Sequence, residues 1–263
     1  MGNWSLNPAD WYRKAAEGSE LCALAGLLHL AALGIVLVAM YFDQRQVLGI
    51  NLWIKPAKFL VSSWIFLWTI GWLLSLVEAA AVSRGLVGGV MATMILLENL
   101  AISGQALRGE RSHYNVSTPF NGMVFGLMGL MIVINTLALI LLLYWFFTVP
   151  KAMPAGALWG CRLGVLLAVL ASVQGGYMSA YGAHTVGAAE GGPGLPGLNW
   201  STVAGDLRIA HFVGLHGLQL LPWAGFLLSE LGASAGVFVV ALLHYGAFLL
   251  TFLQAVAKKP LFF

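Results

Sequence analysis

Charge is what this sequence has least of. Of its 263 residues only 9% are Asp, Glu, Lys or Arg, 13 basic and 10 acidic, whereas a globular surface carries about a quarter of its residues charged. With 60% hydrophobic residues and a mean hydropathy of +0.86, the chain falls outside the soluble class, and the bilayer is its solvent. A net charge of +3, spread over many short loops, is too small to hold a polyanion, so nucleic acid is not an expected partner. Cysteine is scarce as well. Cys22 and Cys161 stand apart in apolar stretches without CxxC or CxxCH spacing, which argues against a disulfide scaffold and against a cysteine-built metal or haem-attachment motif. Period-two alternation, the pattern of a membrane barrel, is also missing.

What remains is long apolar runs. A membrane helix needs about 20 mostly apolar residues, and seven such runs are separated by Gly, Pro or charge: 21–42, 57–80, 85–108, 121–147, 155–178, 207–228 and 234–258. The expectation is an all-α, polytopic bundle of seven transmembrane helices in one domain, 1–263. It has a polar N-terminal segment at 1–20 and a Gly/Pro-rich loop at 179–206. The N-terminal segment lacks an apolar h-region and an AxA-like site, so no signal peptide is expected.

Seven spans place the termini on opposite sides. The face bearing the N-terminus, face B, has short connections near Ser83, Pro150 and Leu231. Face A carries the longer loops at 43–56, 109–120 and 179–206 and most of the polar chemistry. Eight basic residues fall on face A and five on face B, a lean towards a cytoplasmic face A. If Lys55, Lys58, Arg108 and Arg208 serve a site instead, the lean disappears, so the orientation stays open.

Every ionisable group inside a membrane is a functional candidate, because its burial costs several kcal/mol, of order 3 or more. Glu98, Gln105 and Arg108 stand at i, i+7 and i+10 in the third run, on one helical stripe. Glu98 lies roughly 15 Å below face A, and a lone carboxyl at that depth needs a partner or a proton. Lys55 and Lys58 open the second run, where the helix N-terminus already carries partial positive charge, so an anionic partner is expected for them. The sixth run opens with GDLRIAHFVGLHGLQLLP. In it Asp206 sits where an N-cap belongs, Arg208 and His211 share a face, and His216 points elsewhere. The His211–His216 spacing excludes an HExxH-type chelate. His216 and His244, on successive antiparallel runs, both fall near the midplane. Two imidazoles facing across a bundle can hold a b-type haem, with Lys55, Lys58, Arg108 and Arg208 near its propionates. His113 and His184 lie in face A loops, as covers of a cavity mouth or as solvated side chains.

The phrases WIKPAKF, GQALRGERSHYN and GDLRIAHFVGLHGLQ resemble those of an uncharacterised family of bacterial multi-pass membrane proteins, which implies a bacterial inner-membrane location and no particular activity. Microbial rhodopsins share the span number, but GVFVVALLHYGAFLLTFLQAV has no lysine for a retinal Schiff base.

Three functional readings follow. The first is a membrane redox protein, with His216 and His244 as haem iron ligands or with a bound quinone. In that reading Glu98 and Gln105 serve as proton path or quinone partner. The second is an intramembrane enzyme on a lipid-like substrate, with Glu98, His211, His216 and Asp206 in acid–base or metal chemistry and the lysines on an anionic head group. The third is a proton- or cation-coupled transporter or channel centred on Glu98. All three expect a polar cavity on face A.

Overall fold

The computed structural model describes residues 7–261; the first six residues of the polar N-terminal segment lie outside that range. Seven helices among the described residues are long and apolar enough to cross a membrane: α2 (Glu20–Phe42), α3 (Ile54–Ser75), α4 (Ala81–Leu107), α5 (Pro119–Thr148), α6 (Ala155–Tyr181), α7 (Leu207–Glu230) and α8 (Gly236–Val256). The chain is an all-α integral membrane protein. A shorter helix, α1 (Pro8–Gly18), precedes them, and two-residue strands form two small antiparallel ribbons, β1–β2 (Gln46–Val47, Ile50–Asn51) and β3–β4 (Thr185–Val186, Gly205–Asp206). The chain divides into two compact units that meet in sequence at Lys151 and Ala152.

In the first unit, α1 forms inside the segment that reads as merely polar. Asn7 caps it through Ala9 N (3.0 Å) and Pro8 occupies its first turn. Its apolar face, Trp11, Tyr12, Ala15 and Ala16, packs on Ala23, Trp64 and Trp68, with Trp11 edge-on to Trp72 at 6.1 Å. Backbone meets backbone there. A Cβ on Gly71 would lie 2.5 Å from the Ala15 carbonyl oxygen, so only glycine permits that approach.

The second run does not extend to residue 80 as its hydropathy suggests. α3 stops at Ser75 because Val77 pairs with Pro150, with Glu78 N donating to Val149 O (2.8 Å) and Lys151 N to Leu76 O (3.0 Å). Hydropathy cannot separate helix from a short apolar ribbon. α4 then starts at Ala81, a turn earlier than the sequence suggests.

In the second unit α6 and α7 pack along glycines. Gly156, Gly160 and Gly164 recur at every fourth position of α6, and Gly217 and Gly225 answer from α7. A Cβ would sit 2.3 Å from Leu221 O at Gly160, 2.7 Å from Gly217 O at Gly164, and 2.3 Å from Gly156 O at Gly225. Small residues at such spacing let membrane helices approach until dispersion forces bind them. α8 joins through Tyr245 Oη, which donates to Leu163 O (2.8 Å), and through His244.

Candidate functional site

The polar side chains of the first unit gather where α3 begins, α4 ends and α5 begins. α4 closes in a Schellman turn: Gly109 adopts φ +72°, Gly109 N donates to Ala106 O (2.8 Å) and Glu110 N to Gln105 O (2.9 Å). The chain then runs through residues 110–118, with Tyr114 also left-handed at φ +56°, a conformation that costs a bulky residue of order 1 kcal/mol or more. A hydrogen-bonded ladder holds this loop. Gln105 Nε2 donates to Asn121 Oδ1 (3.1 Å), Arg108 donates to both Gln105 Oε1 and Asn121 Oδ1 (2.9 Å), Asn121 Nδ2 to Ser117 Oγ (3.0 Å), Ser117 Oγ to Asn115 Oδ1 (2.7 Å), and Asn115 Nδ2 to Glu110 Oε2 (2.9 Å). Arg108 also stacks on Phe120 at 4.6 Å. The structure thus places Gln105 and Arg108 in the support of the loop.

The loop delivers His113 to Lys55. Lys55 Nζ lies 3.0 Å from His113 Nδ1, and Ser112 Oγ lies 3.2 Å from the same nitrogen. An ammonium group only donates, so Nδ1 accepts and the proton of the neutral ring sits on Nε2. That nitrogen faces Glu98 Oε1 at 3.8 Å, too long for a direct hydrogen bond and short enough for a small side-chain movement to make one. The Glu98 side chain is 4% exposed. Its Oε2 is buried and accepts no hydrogen bond, and Lys55 lies within charge reach. Phe59, Tyr114 and Phe125 enclose the His113 ring at 5.7, 6.0 and 6.1 Å. Lys58, on the next turn of α3, is half-buried. The sequence-predicted Lys55 and Glu98 are therefore joined by His113, which loop position alone did not single out.

If the ladder's task is to hold His113, cutting it has a defined result. Asn121→Ala is expected to speed amide hydrogen exchange across residues 110–118 by about 30- to 150-fold, as two to three hydrogen bonds near 1 kcal/mol each are lost. The spans should keep wild-type protection. Unchanged exchange in the loop would refute the assignment.

No known protein family, curated protein or solved structure matches the chain.

In the second unit the predicted residues are mostly committed. Asp206 caps α7 through Arg208 N (3.0 Å), accepts Arg208 Nε (2.9 Å) and a second guanidinium nitrogen (2.6 Å), and accepts Ser201 N (2.8 Å); Arg208 also donates to Asn199 O. This pair fastens residues 199–206 to α7. His211 Nδ1 lies 3.0 Å from Ala171 O and 3.1 Å from Gln174 Oε1, and Gln174 Nε2 donates to Leu207 O (3.1 Å), so the two side chains tie α7 to α6. His216 packs against Phe212 at 4.3 Å and hydrogen-bonds Gln219. His244 interacts electrostatically with His216, but its Nε2 is bonded to Val213 O at 2.7 Å. An iron ligand needs its coordinating nitrogen free, so Nε2 of His244 is unsuited to haem without breaking that tie. Among the described residues no three His, Cys, Asp or Glu side chains are arranged for a metal ion.

The loop at 182–206 has its own lock. Glu190 accepts His184 N (2.8 Å) and Thr185 N (2.9 Å), and His184 Nε2 lies 2.6 Å from Glu190 Oε2. Partial burial, the largest single influence, favours the neutral acid. The His184 side chain and the two backbone amides together outweigh it and bring the carboxyl from 4.5 down to about 2. A folded-state value below the unfolded one means the stabilisation is complete above about 4.5 and lost as pH falls towards about 2. Exchange at the Thr185 amide should accelerate across that window, and Glu190→Gln should abolish the pH dependence. A wild-type loop indifferent to pH between those values would contradict the lock.

Proposed function

We propose that the protein is a proton-coupled transporter of a bacterial inner membrane, in which Glu98 is the proton-carrying group and His113 with Lys55 is its exchange partner on face A. The location follows the sequence resemblance. The observation that carries the reading is Glu98 Oε2, buried without a hydrogen bond while Oε1 stops 3.8 Å from His113 Nε2. A carboxyl that alternates between a neutral acid and a carboxylate facing a lysine needs one oxygen uncommitted and a donor close by. His113 supplies the donor, and Lys55 balances the charge left when the proton departs. Nine residues separate Glu98 from the end of α4 at Leu107, about 14 Å along the helix, so the proton is taken well inside the apolar layer.

A second reading, a quinone site, is supported by the rings of Phe59, Tyr114 and Phe125 around His113. Planar head groups pack on such walls, and a carbonyl oxygen can accept from His113 Nε2–H. The haem version of the redox reading has less to rest on, since His244 spends Nε2 on Val213.

The transporter reading is tested in liposomes loaded with a pH-sensitive dye. Wild-type protein should dissipate an imposed pH difference, with valinomycin and potassium balancing charge. Glu98→Gln should leave the difference standing, while Lys151→Gln, on the opposite face, should behave as wild type. Wild-type flux through Glu98→Gln would overturn the reading, and quinone quenching of Trp64 fluorescence would favour the second one.

A further inference from the structure

A second polar cluster lies inside the first unit, and no loop residue contributes to it. His29 on α2, Ser63 on α3 and Asn99 on α4 are 1, 6 and 5% exposed. Asn99 Nδ2 donates to Ser63 Oγ (2.8 Å) and to Ile95 O (3.0 Å). His29 Nδ1 lies 2.7 Å from Ala25 O, and its ring is also within reach of the Ile95 carbonyl. The Ile95 carbonyl therefore links His29 to Asn99, and three helices meet around it. Neither His29 Nε2 nor Asn99 Oδ1 has a hydrogen-bond partner.

Counting donors exposes a mismatch. A carbonyl only accepts, so the contact with Ala25 O puts the neutral ring's single proton on Nδ1. Nε2 is then a bare, buried lone pair, and the Ile95 carbonyl within the ring's reach is also an acceptor. Buried acceptors crowded together without a donor are costly, of order 1–3 kcal/mol each. One added proton at Nε2 resolves the mismatch: an imidazolium offers two N–H groups to two carbonyls. Ser63 accepts from Asn99 and keeps its own hydroxyl proton to pass on. Glu98, the residue before Asn99, is the one charged residue in the body of α2, α3 and α4, Glu20 lying in the opening turn of α2. Lys55 and Lys58 sit in the opening turns of α3, Arg84 in that of α4, and the charges of α1 lie outside the spans.

We infer that His29, Asn99 and Ser63 form a second protonation site, which receives the proton from Glu98 and carries it towards face B. This rests on the proposed role of Glu98. In the transfer the Glu98 O–H bond breaks and an N–H bond forms at His29 Nε2, leaving a carboxylate near Lys55 and an imidazolium between Ala25 O and Ile95 O. His29 stands nine residues above the start of α2 at Glu20, about 14 Å from its face B end. The two sites thus divide the crossing into an outer and an inner step.

The experiment pairs flux with nitrogen NMR on the full chain in liposomes. His29→Phe and Ser63→Ala should each lower proton flux, His29→Phe by about 100-fold, the lower range for a lost acid–base group. With ¹⁵N-labelled histidine, His29 should pass from an Nδ1–H neutral ring to a doubly protonated ring on acidification, in both wild type and Ser63→Ala. Full flux through His29→Phe while Glu98→Gln is inactive would overturn this inference and leave the role of Glu98 standing. Full flux through both variants would remove the role of Glu98 itself. Should His29→Phe fail to fold, the spectra decide: a ring that stays neutral over the pH range in which wild-type flux rises rejects the second site.

Discussion

Replacing His113 by Ala is expected to slow proton uptake from face A by about 100-fold, the lower end of what a positioned acid–base side chain contributes. The residue sits between the lysine that fixes its tautomer and the carboxyl it serves, at 3.0 and 3.8 Å, so its removal leaves Glu98 without a donor on that side. The truncation also opens a hole walled by Phe59, Tyr114 and Phe125. Added imidazole should fill it and restore most of the flux. Pyrrole, a ring of the same size without a basic nitrogen, should not. Rescue by both would mean that His113 acts only as packing, and rescue by neither, with flux still at the wild-type rate, would remove it from the path. Lys55→Met should act in the same direction by releasing the His113 tautomer. His113→Ala, Lys55→Met and the double variant should lose less in combination than the two single losses multiplied, because the lysine acts through the imidazole.

Gly160→Val is expected to be the most damaging single substitution in the second unit. Its Cβ would begin 2.3 Å from the Leu221 carbonyl oxygen and 3.1 Å from Pro222 Cα, and backbone on both sides leaves nothing flexible to yield. α6 and α7 must separate, and the loss spreads to the contacts at Gly164 and Gly156 in the same row. Overpacking of this kind costs on the order of 3 kcal/mol. Thermal unfolding in detergent should fall by several degrees, with loss of the His211 tie between the helices. Gly176→Val is the control. Nothing lies within 4 Å of its Cβ position, and valine suits a helix better than glycine, so stability should hold or rise. Equal losses in both variants would show that the cost is one of helix propensity or insertion and not of close packing.

Hydropathy made the seven spans legible because a membrane helix must be apolar for its whole length. Their ends were less so. Residues 76–80 are as apolar as the helix before them, and only the pairing of Val77 with Pro150, 73 positions on, stops α3. α1 escaped notice for the opposite reason: its polar face masks an apolar one, and its stability comes from Trp68, Trp72 and Gly71 on another helix. Of the site, Glu98 and Lys55 stood out because charge is rare in such runs. The stripe Glu98, Gln105, Arg108 shares a helical face, yet its members part company: Gln105 and Arg108 turn to Asn121 and brace a loop, while Glu98 faces His113. Helical spacing says which residues share a side of one helix and nothing about a loop that folds back. Of the neutral amides only Gln105 is legible, through its place on that stripe. Asn99 and Asn121 cost less to bury than a charge, so a search for charges passes over them, although a mid-span amide also requires partners.

The docking of α1 bears on how the chain is made. Its seat is built from Trp64, Trp68, Gly71 and Trp72 of α3, so nothing exists for α1 to bind until some fifty further residues have been synthesised and two spans have entered the bilayer. α1, synthesised before α2 and α3, is therefore the last of the three to find its place. Until α3 arrives, Trp11 and Tyr12 wait at the membrane surface, where aromatic side chains rest comfortably.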